Sequence, residues 1–189
     1  MILGLVLFLG VHTLTTQRKL RARLIASAGE GGYKIGYALV SLAGLALIVW
    51  GFAHYRATGW IDVWYPPRWL KHMAVALMLP AVILVVAAYI RGRIYTVIKH
   101  PMLSGVKLWA AAHLIANGDL GGIILFGSFL GWAVFDRISL KRRTDAGAPP
   151  IPVGGPTNDL IAIAVGIVAY LALVFAFHPV VIGVPVVGG

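Results

Sequence analysis

Residues 160–177 form an eighteen-residue stretch without one charged side chain, and runs of similar character recur along the whole chain. A hydrocarbon core about 30 Å thick is crossed by about 20 apolar residues rising about 1.5 Å each. No water is available there, so each backbone N–H and C=O must pair within its own segment, which selects helix. Six runs reach or approach that length: residues 2–16, 35–53, 73–90 (with Pro80 inside), 102–116, 120–135, and 160 to at least 177. The expected fold is therefore all-α, a polytopic membrane bundle of about six transmembrane helices. It is read as a single domain over residues 1–189, with a flexible Gly/Pro-rich cytoplasmic loop at 144–157. Composition agrees: 60% of residues are hydrophobic and 12% charged, whereas soluble domains carry about 25% charge. A globule of this size has too much surface to hide such an excess.

The charge pattern gives the fold a direction. Net charge is +10, and the basic residues sit in the connections between apolar runs. Arg18, Lys19, Arg21, Arg23 and Lys34, then Arg91, Arg93 and Lys99, then Arg137, Lys141, Arg142 and Arg143 occupy the first, third and fifth connections, 12 in all. The second connection holds 3 (Arg56, Arg68 and Lys71) and the fourth none. By the positive-inside rule the odd connections are cytoplasmic and both termini lie outside. The basic excess is thus accounted for by topology and anionic lipid headgroups, and nucleic acid is not an expected partner. The basic residues follow the first apolar run instead of preceding it, which reads as a retained helix and not a secretory signal. Phosphatase and fluorescent-protein fusions after Gly29, Gly92 and Ala148 should report cytoplasm, and those after Thr58 and Gly118 the outside. A C-terminal fusion that fluoresces in the cytoplasm would refute this topology.

Several chemistries are excluded by inventory. The chain has no cysteine, which removes disulfides, thiolate ligands and cysteine nucleophiles. Glu30 is its single glutamate, and the aspartates lie at helix ends or in connections, so paired-acid catalysis and carboxylate-bridged metals are not expected. Six histidines remain. Rise per residue places His12 about 18 Å below the outer end of the first helix and His113 about 16 Å up from the cytoplasmic end of the fourth, a shared level near the membrane centre. Two neutral imidazoles at one depth suit a bis-histidine metal or haem site; the alternative is that each packs between helices. Asn117 follows His113 by four residues and is placed to orient it. His54, His72 and His178 are expected near the outer face, His54 as a candidate supporting or headgroup residue and His72 and His178 outside any such site. His100 begins the fourth helix, with Pro101 at its first position. Ser104 and Lys107 share its face, which reads either as an ordinary capped start with a snorkelling lysine or as a headgroup or anion site.

The stretch Lys99-His100-Pro101-Met102-Leu103, continuing through Leu108-Trp109-Ala110-Ala111-Ala112-His113-Leu114-Ile115-Ala116-Asn117-Gly118-Asp119, resembles the core signature of the NnrU family. Phe126-Gly127, Asp136-Arg137 and Gly10-Val11-His12 extend the resemblance over most of the chain. It implies a protein of the bacterial cytoplasmic membrane linked to denitrification, that is, to nitrite and nitric oxide metabolism, as a redox, sensing or assembly factor. Plant and cyanobacterial relatives are 15-cis-zeta-carotene isomerases that bind haem b through histidines. Carried onto this chain, the iron ligands are His12 and His113, with His54 and His100 also at family histidine positions. Ala110 stands where the plant branch has a cysteine, which removes a sulfur ligand. The alternative functions are haem-dependent isomerisation of a lipid-soluble polyene, methyl transfer suggested by the His-Pro-x-x-x-Gly piece, and a cofactor-free scaffold. The bilayer is the one expected partner fixed by the residues; a lipid-soluble small molecule or nitric oxide is implied by the resemblance alone.

Overall fold

The computed structural model describes residues 1–142 and 153–186. Their regular structure is helical, as expected: α1 (Ile2–Thr13), α2 (Arg18–Thr58), α3 (Arg68–Ala87), α4 (Arg93–Ile98), α5 (Pro101–Ala116), α6 (Leu120–Lys141) and α7 (Pro156–Ala172), which continues into a π-helical segment, Leu173–Ile182. Among the described residues, four spans are long and apolar enough to cross a bilayer: Arg18–Thr58, Arg68–Ala87, Leu120–Lys141 and Pro156–Ile182. At most 22% of the apolar window in any of them is buried within the protein. The remaining face needs an apolar solvent, which lipid supplies. The expected count of six falls to four by this measure because α1 has 12 residues and α5 has 16, about 18 and 24 Å of helix.

Two boundaries differ from the sequence reading. Residues 17–34 were expected as a basic connection, yet α2 begins at Arg18 and continues into the second span, interrupted at Gly29 (φ 71°, ψ 165°). Arg, Lys, Leu and Ala are strong helix formers, so this stretch winds despite its charge. Glycine alone enters that positive-φ conformation without steric cost. The loop expected at 144–157 lies outside the described residues at 144–152, and its end is corrected: Pro156 already opens α7, with Gly155 as N-cap. Proline is at home there because the first helical N–H has no partner to lose.

The helices gather into two compact units. The first comprises Met1–Trp64 and Gly118–Arg142, and so α1, α2 and α6. Here α1 and α2 approach closely at glycines. A Cβ on Gly4 would meet Ile48 N at 2.6 Å and Gly44 O at 2.7 Å, and one on Gly44 would meet Phe8 N at 2.8 Å. Such small-residue seams are how helices pack where lipid offers no hydrophobic drive to associate. The start of α6 is tied to the connection after α2: Leu120 N donates to Ile61 O at 2.9 Å, and Val63 and Trp64 N donate to Gly118 O at 2.8 and 3.1 Å. Asp119, 1% exposed, caps α6 by accepting from Gly122 N at 2.7 Å.

The second unit comprises Tyr65–Asn117 and the described part of Arg143–Gly189. In it α3 packs against both α5 and α7. Tyr170 of α7 donates its hydroxyl to Val75 O of α3 at 3.1 Å. Asp159 accepts from Ile94 N of α4 at 2.9 Å, and Asn158 donates to Arg91 O at the same distance. At Gly105 α5 lies close against α3, since a Cβ there would stand 2.8 Å from Ala81 O and 2.8 Å from Val85 Cγ2. Backbone cannot yield as a side-chain tip can, so Gly105→Leu is expected to destabilise by about 1–3 kcal/mol. A lowered thermal midpoint in detergent would register this; an unchanged midpoint would contradict the packing.

Candidate functional site

His12 lies in the last turn of α1 and is half-buried. Its Nδ1 donates to Phe8 O at 2.6 Å. A carbonyl can only accept, so the tautomer is fixed with the lone pair on Nε2. Rings from all three helices of its unit surround the imidazole: Phe8 stacks at 4.2 Å, Tyr37 of α2 stands at 5.3 Å, and Trp132 of α6 meets it edge-on at 5.8 Å. One turn beyond Trp132, Asp136 is 9% exposed, a buried carboxylate in an apolar helix. Sequence inspection set Asp136 aside as a helix-end residue; its following basic neighbour, Arg137, concealed that the carboxylate itself turns inward.

His113 occupies the last turn of α5, half-buried, in the other unit. The same local device holds it: Nδ1 donates to Trp109 O at 2.8 Å, one turn back, again leaving the lone pair on Nε2. Asn117 does not orient the ring, as its spacing suggested. As C-cap of α5, its Nδ2 donates to the His113 carbonyl at 2.8 Å, which also accepts from Asn117 N at 2.9 Å. Ala110 is fully buried.

The expected distribution of histidines changes at one point. His178 was placed among the outer-face histidines, away from His113. In the structure the two rings are neighbours, with centroids 6.2 Å apart and planes inclined by 27°. Both belong to the second unit. The sequence held a signal for this in Phe177-His178-Pro179: a histidine followed by proline inside an apolar run, where the helix cannot continue its usual bonding.

The other candidate residues are placed as follows. His54 is exposed and stacks on Trp50 at 5.8 Å, and His72 is exposed near the start of α3. His100 is the N-cap of α5, and its side chain makes no capping bond; its carbonyl accepts from Ser104 N at 3.1 Å. Lys107 is half-buried at the seventh position of the same helix. No group of three or more His, Cys, Asp or Glu side chains suited to a metal ion occurs among the described residues. Asp62 and Asp119 pair through their backbones in an isolated bridge. Their carboxylates are engaged in structure, Asp62 with Trp60 Nε1 at 2.7 Å and Asp119 with Gly122 N. What His12 and His113 each offer chemically is an imidazole nitrogen with the tautomer set by the backbone.

No curated protein and no solved structure matches this chain. A family model described as NnrU protein matches residues 1–186. With nearly its entire length covered by that model, this helical membrane protein belongs to the NnrU family.

Proposed function

We propose that this protein binds haem b within the bacterial cytoplasmic membrane, through His113 and one further histidine, and serves nitrite or nitric oxide metabolism as a redox or sensing factor. His12 is the second ligand that the family resemblance offers. The observation that supports the reading is the state of His113: a half-buried imidazole whose Nδ1 is tied to a carbonyl, so that the lone pair a metal would need lies on Nε2. Ionisable side chains are rare in membrane helices because they are costly there, and those that occur mark functional sites. Neutral imidazole held by a backbone acceptor through its other nitrogen is a recurrent arrangement in metal ligation. The residues present therefore fit haem, which would supply one-electron chemistry tuned by its axial ligands and by burial.

Polyene isomerisation uses the same cofactor and would draw on the same ligands. A sulfur ligand is absent at Ala110. The haem reading is tested by the absorption spectrum of the purified protein, and the two uses of the haem by adding nitric oxide or a cis-polyene. A protein free of haem after haem-supplemented expression would end both.

A further inference from the structure

Arg91 follows the end of α3, in the second unit. The 20 residues of α3 rise about 30 Å, the thickness of a bilayer's hydrocarbon core, so the residues just beyond Ala87 lie at the headgroup border. Gly154 and Asn158, at the start of α7, bond to Arg91 there, so the ends of two spans share that border.

Main chain and side chain of Arg91 are both held in place. Its carbonyl accepts from Gly154 N at 2.8 Å and from Asn158 Nδ2 at 2.9 Å. The guanidinium lies over the Tyr95 ring, with Cζ 4.9 Å from the centroid, and Nε donates to Ala88 O at 3.2 Å. A guanidinium carries five N–H donors, and that carbonyl is the one acceptor it meets among the described residues. Among them Nη1 is buried with no hydrogen-bond partner, and the side chain forms no ion pair. The Asp159 carboxylate at the same junction is turned instead to Ile94 N, at 2.9 Å. Donors of a cation left unmet away from water are costly. A positioned guanidinium is also the side chain best matched to phosphate oxygens.

We infer that Arg91 anchors a phosphate site at this border, and that its ligand is the headgroup phosphate of an anionic phospholipid. The protein supplies positive charge and unmet donors, and the phosphate supplies negative oxygens that accept from the Nη atoms. The residue as a whole is half-buried, which leaves an approach from the headgroup layer. The lipid source follows from place, because bilayer phosphodiesters stand at the level where α3 ends. Tyr95, Ala88 O and the two bonds to the Arg91 carbonyl hold the cation before the ligand arrives, which lowers the ordering cost of binding. Arg93, two residues on, is exposed and adds only the general attraction of a cation for anionic lipid.

The test uses the full-length protein in mild detergent, with phosphatidylglycerol, phosphatidylcholine or inorganic phosphate added, read by native mass spectrometry and thermal midpoint. Phosphatidylglycerol is expected to bind saturably, one lipid per chain, and to raise the midpoint; phosphatidylcholine is not. Arg91→Ala should weaken that binding by at least about tenfold, since hydrogen bonds between charged partners are the strong ones. Arg93→Ala removes the same charge two residues away and should cost less than about fivefold, the effect of one cation near anionic lipid. Should Arg91→Ala fail to fold, the charge-keeping pair decides: Arg91→Lys loses the fork and should bind several-fold more weakly, whereas Arg93→Lys should match wild type. Equal losses at positions 91 and 93, or equal binding of phosphatidylcholine, would reduce the effect to general attraction and overturn the site. Stabilisation by inorganic phosphate with none by phosphatidylglycerol would overturn the lipid as its ligand.

Discussion

His113→Ala is expected to strip the protein of haem, while wild type purified after haem-supplemented expression shows a low-spin haem b spectrum. The loss should be at least tenfold in occupancy, since even the outer partners of a metal site, when mutated, cost about 10–100-fold in affinity. The reason lies in how α5 holds the ring. Nδ1 is committed to Trp109 O, so Nε2 carries the lone pair and no change of tautomer competes with ligation. Alanine removes the ligand and leaves the helix, which alanine favours. His54→Ala and His72→Ala should retain full occupancy, because both histidines are exposed. Haem content by the pyridine haemochrome spectrum, normalised to protein, measures the effect. Full occupancy in His113→Ala would remove the residue from the site.

Asp119→Ala is expected to lower stability by about 2 kcal/mol. An N-cap removed by alanine costs about 1 kcal/mol, and a buried N–H left unpaired costs about 1–3 kcal/mol. Asp119 is 1% exposed, so water cannot readily replace its bond to Gly122 N. The residue also sits between Gly118 O, which receives Val63 and Trp64 N, and Leu120 N, which reaches Ile61 O. Loosening the cap therefore loosens the junction of the α6 start with the connection that follows α2. Asp119→Asn keeps an acceptor oxygen and should recover most of the loss. Denaturant midpoints in mild detergent read both variants; an Asp119→Ala protein as stable as wild type would show the cap to be dispensable.

This second case shows how the Asn117-Gly118-Asp119 signature divides between what is legible in sequence and what is not. As a tight polar turn between two apolar runs it was plain, because polar, flexible residues interrupt helices locally. That Asp119 is buried and that Gly118 receives two N–H groups from residues fifty-odd positions earlier was not plain. Asn117 was read as an orienter of the His113 ring from its i+4 spacing, and the structure gives it the carbonyl instead. Spacing fixes which face a residue shares but not which atom of a neighbour its side chain meets.

The membrane class and the all-α architecture followed from sequence because they depend on the solvent and on run length, and both act residue by residue along the chain. His12 and His113 were found in the same way, as polar rings in apolar runs. Which rings meet is a different kind of question. It depends on the azimuth of each helix and on close approaches at Gly4, Gly44 and Gly105, which bring distant segments to backbone contact. It also depends on the π-helical winding at Leu173–Ile182, which places His178 beside His113 when counting at 1.5 Å per residue had separated them. A one-dimensional pattern carries depth and period, whereas lateral pairing is decided when helices pack, and packing is set by the shape of every side chain at the seam.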